Sequence, residues 1–305
     1  MASGRLKNVL GMAVGLIVLL VVAYYIRVAM VQPVPHHAVF DHQGVLVLAH
    51  RGGRGLWPEN TLYAFRHARD MGVDVLDMDV HYLKDGHFAV IHDDVLQHTT
   101  NGSGNVIDFS LAGLQKLDAG YRWTADNGRS FPYRDKGIRI PSLSEVFNEF
   151  PGYRMNIEIK RSKHGATEKL CNMIRQYKLD EQVVIASFSD DVMQEFRQVC
   201  PGVATAAATG EARLFVILNM LHLGRLYHPQ TETMQMPGYL GDHVLVDRRF
   251  VKTAHAHGMQ VYAWTIDDPA QMQLMIKSGV DGIITDYPDR LLRILGRARQ
   301  VKSKE

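Results

Sequence analysis

Hydrophobic and polar positions follow two regimes along this chain. From Val9 to Ile26 eighteen residues pass without a charge, whereas from Gly44 onward short apolar runs alternate with stretches of helical periodicity. The second regime predicts a parallel sheet of strand–helix units. Nine strand candidates stand out: Val45 to Ala49, Val75 to Val80, His87 to Ile91, Met155 to Ile159, Val183 to Ser187, Val203 to Ala208, Val244 to Val246, Val261 to Thr265 and Gly282 to Thr285. Only Lys84-Asp85-Gly86 separates the second from the third. A parallel crossover needs about a dozen residues, and an Asp-Gly pair between alternating runs signals a hairpin. The third run is therefore expected to fold back antiparallel on the second, bringing His92 opposite Met78 or Asp79. Eight strands remain for an α/β fold, a TIM-like (β/α)8 barrel. Asn60 is expected to cap a helix from Thr61 to Met71 that ends at Gly72, and Ser142 or Ser144 one that runs to Phe150. The segment from Thr99 to Ile140, with several Gly, Asp and Asn, reads as an insertion over the barrel mouth.

The first apolar run measures about 27 Å as a helix, close to the roughly 30 Å hydrocarbon core of a bilayer. Tyr24 and Tyr25 sit where aromatic belts form, and Arg27 is placed to snorkel. A cleaved signal peptide is the alternative, but no Ala-x-Ala-like site follows the run. Residues 1–31 are therefore expected to form a transmembrane anchor, with 9–31 in contact with the bilayer. Arg5 and Lys7 precede it, while no Lys or Arg lies between Arg27 and Arg51. That asymmetry predicts a cytoplasmic N-terminus and a body across the membrane. Pro33 and Pro35 make 32–44 a stiff tether. The barrel is expected over 45–296, followed by a basic tail at 297–305 that holds Arg297, Arg299, Lys302 and Lys304.

Composition narrows the classes. The 305 residues carry 34 Lys and Arg against 32 Asp and Glu, without the basic excess of a nucleic-acid groove. Cys171 and Cys200 lie in no Cys-x-x-Cys or zinc-type spacing, so neither a disulfide framework nor a zinc ribbon is indicated.

In a parallel barrel, chemistry gathers at the carboxyl ends of the strands. Here those ends are polar. The first strand runs into His50-Arg51-Gly52-Gly53, the second carries Asp77 and Asp79, and the hairpin returns as His92-Asp93-Asp94. A later strand carries Glu158 and Lys160. Residues two apart on a strand share a face, so Asp77 and Asp79 both point into the lumen. Three carboxylates with oxygen ligands alone favour one Ca²⁺ or Mg²⁺. The competing reading is an Asp-Lys-Glu ion-pair cluster. His50 and His92 beside a cation suit general acid and base work, and Arg51 and Lys160 suit a phosphate.

The ordered set His50-Arg51-Gly52, Glu59-Asn60-Thr61, Asp77-x-Asp79, Lys84-Asp85-Gly86, His92-Asp93-Asp94, Thr99-Thr100-Asn101-Gly102, Glu158-Ile159-Lys160 and Thr285-Asp286-x-Pro288 resembles the glycerophosphodiester phosphodiesterase family from Leu46 to Leu292. The resemblance implies a TIM-like barrel and one divalent cation on Asp77, Asp79 and Glu158. It implies His50 and His92 as the acid–base pair, Arg51 on phosphate, Glu59 supporting Arg51, and Trp264 lining the alcohol pocket. One departure is Asp77, where the family has Glu.

The implied activity is hydrolysis of glycerophosphodiesters to an alcohol and glycerol 3-phosphate. Two alternatives stand beside it. The mostly apolar stretch 212–227 is expected to dip into the membrane or line a lipid channel, the alternative being a helix buried under neighbouring loops; a lysophospholipase D would release lysophosphatidic acid, and membrane-anchored relatives of that kind are similar to this chain in the anchor and this insert. The other alternative is a tethered, non-catalytic phosphate or lipid binder.

Overall fold

A computed structural model of the chain describes residues 2–161 and 165–298. Its strands are β1 (Leu46–Ala49), β2 (Val75–Tyr82), β3 (Phe88–Val90), β4 (Arg154–Arg161), β5 (Val183–Ala186), β6 (Ala204–Thr205), β7 (Thr233–Pro237), β8 (Tyr239–Leu240), β9 (His243–Val244), β10 (Gln260–Trp264) and β11 (Gly282–Thr285). Its helices are α1 (Ala2–Met30), α2 (Leu62–Met71), α3 (Leu111–Leu114), α4 (Leu143–Glu149), α5 (Ala166–Gln176), α6 (Asp190–Val199), α7 (Thr209–Met220), α8 (Arg248–His255), α9 (Pro269–Ser278) and α10 (Pro288–Ile294). Parallel strands run in the order β6-β5-β4-β2-β1-β11-β10-β7, and a parallel bridge from Ala206 to Thr233 joins the two ends into a barrel. β3 pairs antiparallel with β2, Val80 facing Val90, and Ile91 N–H donates to Asp79 O at 3.0 Å. His92 thus returns alongside Met78, in the expected register.

Strand periodicity divides the barrel into an outer and an inner set. Leu76, Met78 and Val80 of β2, with Met155, Ile157 and Ile159 of β4, pack outward in the helix-facing core. Leu46, Leu48, Val75, Val184, Tyr262 and Ile284 point inward and fill the lower lumen. At Gly282 a Cβ would come within 2.7 Å of Leu48 and 2.8 Å of Tyr262, so this crowded layer requires glycine. Continuing the inward parity upward along the strands leads to Asp77, Asp79, Asn156, Glu158 and Trp264.

Several elements differ from expectation. The barrel strand between β6 and β10 is Thr233–Pro237, not Val244 to Val246; His243–Val244 instead forms a small hairpin with Tyr239–Leu240. The run Thr-Met-Gln-Met-Pro holds one β-branched residue and ends in proline, so β-propensity points to the wrong segment. Val203 to Ala208 narrows to Ala204–Thr205. Thr61, not Asn60, caps α2, its side chain accepting from Ala64 N–H, and Ser142 closes a capping box on α4 with Glu145. Within 32–44, the 3-10 turn Ala38–Phe40 sends Val39 and Phe40 into the floor of the lumen, so this part of the expected tether is packed. Cys171 of α5 and Cys200, just after α6, are joined in a disulfide, which their spacing alone does not announce.

Val106, Leu114, Ile138 and Ile140 of the insertion form a small core with Leu83 and Leu96 of the preceding hairpin segment, and the insertion reaches the mouth where Trp123 Nε1 donates to Arg54 O at 2.9 Å. Leu10–Met30 of α1 is long and apolar enough to cross a membrane and is unburied by the rest of the chain. Within 212–227, α7 buries Phe215 and Asn219 while leaving Leu214, Ile217 and Met220 exposed. Of the basic tail, residues 299–305, including Arg299, Lys302 and Lys304, lie outside the described residues.

Candidate active site

Asp79 and Glu158 are register partners on β2 and β4. Lys160 Nζ lies 3.0 Å from Asp79 Oδ1 and 2.7 Å from Glu158 Oε1, so one ammonium spans both carboxylates. Asp77, one inward step deeper, accepts from Asn156 Nδ2 at 2.6 Å, and Gln235 Nε2 in turn donates to Asn156 Oδ1 at 2.7 Å.

After β1 the backbone turns sharply. Arg51 takes φ 52° and is followed by Gly52 at 83° and Gly53 at 89°. A Cβ on Gly52 would strike Ala64 at 2.8 Å, so helix α2 can approach this turn only against glycine. Asn60 is also left-handed, at φ 55°, and its N–H donates to Arg51 O at 2.9 Å. A non-glycine residue held this way costs on the order of 1–3 kcal/mol. Both strained residues converge on Asp79: Asn60 Nδ2 donates to Oδ2 at 2.9 Å, and Arg51 Nε lies 3.4 Å from the same oxygen. Arg51 Nη1 also donates to Glu59 at 2.9 Å.

Each of the two histidines has a carboxylate partner. His50 Nδ1 sits 2.6 Å from Asp286 Oδ1, while Arg54 Nε donates to Asp286 Oδ2 at 2.7 Å. Arg51 Nε donates to His50 Nε2 at 3.2 Å. His92 Nδ1 sits 2.6 Å from Asp93 Oδ1, and the exposed His98 holds Oδ2 of that carboxylate at 2.8 Å. The buried His81 bonds the carbonyl of His92 at 3.0 Å.

Burial works to lower the His50 pKa, but the Asp286 hydrogen bond and the charge of Asp77 outweigh it and the net shift is upward. At His92 burial prevails over the pull of Asp79, and the net shift is downward. Burial would raise Asp79, yet Lys160 and Arg51 hold it at about 2. Glu158, half-buried and facing Asp79, is pushed up to about 7 by desolvation and then by Asp79, despite Lys160. Asp77 is raised by burial, with Asp79 adding to it.

His50, Arg51, Asp77, Asp79, His92, Glu158, Lys160 and Trp264 line one cleft of about 180 Å³ at the carboxyl ends of the strands. Glu59 lies outside the lining and reaches it through Arg51. Asn156 and Gln235 join the site without a motif to announce them, and Asn60, Asp93 and Asp286 act as partners to the carboxylate and the histidines. Asn60, Asp93 and Asp286 lie inside the quoted motifs. Gln235 carries no signal while its strand is misplaced.

Two imidazoles with carboxylate partners, sharing a cleft with a cationic arginine and lysine, suit the splitting of a phosphate ester by proton transfer. The protein is thus a barrel phosphodiesterase. It belongs to the glycerophosphoryl diester phosphodiesterase family, matching it over residues 50–290. A glycerophosphodiester phosphodiesterase from Caldanaerobacter subterraneus subsp. tengcongensis is 36% identical over 258 residues, 82% of this chain and 97% of the relative. A lysophospholipase D from Mus musculus is 28% identical over 271 residues, 80% of this chain and 84% of the relative. An Oleispira antarctica phosphodiesterase, solved with the product sn-glycerol-3-phosphate, superposes with a TM-score of 0.63 at 25% identity, covering 82% of this chain and 96% of that one.

The family generally depends on a divalent cation. Among the described residues no three acidic, histidine or cysteine side chains close on one point, because Lys160 stands between two of the candidates. The donor chemistry nevertheless fits. Asp77, Asp79 and Glu158 offer only oxygens, and Asp77 and Glu158, raised first by burial and then by the neighbouring Asp79, are carboxyls that a cation among them would hold ionised.

Proposed function

We propose that this chain is a membrane-anchored phosphodiesterase that hydrolyses glycerophosphodiesters to an alcohol and glycerol 3-phosphate. The observation that carries the reading is the pair of carboxylate-bonded imidazoles, His50 and His92, on a cleft that also holds Asp77, Asp79 and Glu158. Those three carboxylates would hold the cation, Ca²⁺ or Mg²⁺, which when bound would supply positive charge to the phosphate oxygens.

The chain's own residues supply orientation and proton transfer. An arginine donates only, so the Arg51 bond marks His50 Nε2 as an acceptor, and Asp286 on the other nitrogen strengthens that imidazole as a base. His50 takes a proton from the attacking water, whose oxygen forms the new P–O bond as the P–O bond to the alcohol breaks. His92, its Nδ1 held by Asp93, protonates the departing alkoxide. Arg51, braced by Glu59, and Lys160 bind the phosphate oxygens. Trp264, with Phe188 edge-on at 6.0 Å, forms the wall for the alcohol.

Lysophospholipids are the second substrate class, favoured by the exposed apolar face of α7, whose first residue, Thr209, bonds the Phe188 carbonyl at 2.7 Å at the cleft mouth. For location, the Arg5 and Lys7 charges support a cytoplasmic N-terminus. The Cys171–Cys200 disulfide supports a body in an oxidising compartment on the other side.

The test is turnover of glycerophosphocholine, glycerophosphoethanolamine and lysophosphatidylcholine by the full chain, with and without chelator. Chelator-sensitive release of glycerol 3-phosphate supports the reading, and release of lysophosphatidic acid in its place selects the second class. No turnover on any of the three overturns both and leaves the non-catalytic binder.

A further inference from the structure

Outside the cleft, one side of the barrel carries a surface that catalysis does not use. Along α7 and the turn after it, Leu214, Ile217, Met220, Leu221 and Leu223 are all exposed, Met220 at 65% and Leu221 at 62%. Spacings of three and four residues set Leu214, Ile217 and Leu221 on one helical stripe, over a helix of about 18 Å. Exposed apolar side chains scattered singly are ordinary, whereas a contiguous ridge marks a surface with a partner.

Beside the ridge lies a groove lined by Arg225, Arg248, Arg249, Lys252, Thr253 and Ala256, with four cations and no carboxylate. Arg249 is held by His222 at 2.9 Å, and Arg248 by the carbonyl of Lys277 at 3.4 Å, so neither charge is neutralised by these contacts.

The anchor meets the body at this same place. α1 passes close to the 3-10 turn Gly224–Leu226, and four residues after Met30, Val34 N–H donates to His257 O at 2.9 Å. His257 Nε2 in turn bonds Gly224 O at 2.9 Å. Extended chain spans about 3.5 Å per residue, which keeps the attachment point within about 15 Å of the end of α1. A bilayer crossed by α1 therefore lies next to Leu221, Leu223 and Arg225.

We infer that the α7 ridge and the Arg225–Lys252 groove form a docking face for the anionic surface of the bilayer, holding the barrel side-on. The ridge enters the headgroup and acyl boundary, and the groove takes anionic headgroups. Because α7 starts at Thr209 beside Phe188, this posture brings the cleft mouth toward the leaflet. The inference rests on the reading of α1 as an anchor.

The test uses the full chain in nanodiscs of phosphatidylcholine alone or mixed with phosphatidylglycerol. Both native cysteines are in a disulfide, so single cysteines introduced as Val18→Cys, Ile217→Cys, Leu221→Cys and Lys116→Cys can each carry a nitroxide. The readout is collision with oxygen against a polar nickel chelate. Labels at 217 and 221 are expected to favour oxygen several-fold more than the label at 116, more strongly with phosphatidylglycerol, and the increment should vanish in Arg249→Glu/Lys252→Glu. Nickel access at 217 and 221 equal to that at 116, with the label at 18 in lipid, overturns the docking face and leaves the anchor intact. A water-exposed label at 18 overturns both. Lipid contact that ignores phosphatidylglycerol overturns the anionic assignment. Labels shielded from both probes in a dimer assign the face to a second copy and overturn the proposal.

Discussion

Asp286 Oδ1 lies 2.6 Å from His50 Nδ1, joining residues 236 positions apart at the rim where β11 and β1 run side by side. The inward parity of Ile284 continues to Asp286, and that of Leu48 continues to His50. The closing pair of strands thus delivers an imidazole and its carboxylate together. Burial pulls the Asp286 carboxyl upward, but the His50 hydrogen bond and charge, with Arg54 on the second oxygen, hold it below the ordinary range.

Replacing Asp286 with Asn is expected to cut kcat by on the order of 10²- to 10⁴-fold, because the amide no longer fixes the tautomer of His50. The pH profile gives the sharper check. With His50 raised and His92 lowered, the higher of the two apparent pKa values belongs to His50. Losing Asp286 lowers that value, so the alkaline limb of kcat/KM moves to lower pH. An alkaline limb that stays in place would show that His50 does not titrate in the reaction.

The two histidines separate by leaving group. If His92 protonates the departing alkoxide, His92→Ala should lose on the order of 10²–10⁴-fold with an alkyl leaving group such as choline. It should retain most activity on a p-nitrophenyl phosphodiester, whose phenolate departs without a proton. His50→Ala should fail on both. Equal losses for His92→Ala on the two substrates would reverse or void the assignment.

Much of this arrangement is legible in the sequence because β-structure has period two. Asp77 with Asp79, and Glu158 with Lys160, share faces by spacing alone, and the short Lys84-Asp85-Gly86 link forces the hairpin that returns His92. The amides that hold the carboxylates are not legible. Asn156 and Gln235 touch Asp77 or each other across the lumen only once β4 and β7 are placed, and Thr233–Pro237 lacks the β-branched residues that announce a strand. The same limit applies to Lys160, whose two carboxylate contacts depend on the pairing of Asp79 with Glu158. Asn60 illustrates a different failure. Its residue type suits a helix cap, but the turn uses it in the left-handed region and turns its side chain toward Asp79, leaving the cap to Thr61.

Lys160 and a divalent cation answer the same excess of negative charge. Lys160→Met is therefore expected to destabilise the metal-free protein by about 3–5 kcal/mol, since breaking a buried pair leaves a carboxylate uncompensated. Ca²⁺ or Mg²⁺ at a hundred times its Kd should restore about 2.7 kcal/mol. In a domain of this size that corresponds to about 5–10 °C in Tm. Asp79→Asn should abolish the metal-dependent rise. A Tm indifferent to both ions in the parent and in Lys160→Met would remove Asp77, Asp79 and Glu158 as ligands.

The Cys171–Cys200 disulfide acts on stability and not on the cleft. Both residues are buried in the helix-facing core and neither lines the cleft, and the bridge closes a sequence separation of 29 residues between α5 and the end of α6. Loop-closure entropy for a ring of that length amounts to about 3–4 kcal/mol at 25 °C. Cys171→Ser/Cys200→Ser should lower the free energy of unfolding by up to that amount while leaving kcat and KM at 25 °C unchanged. Denaturant melts of the full chain in nanodiscs, with and without reductant, provide the measurement. Reductant should lower the midpoint of the parent and leave the double variant unmoved. A parent midpoint that ignores reductant, with free thiols detected by alkylation, would show that the bridge does not form and would remove the support it lends to a body outside the cytoplasm.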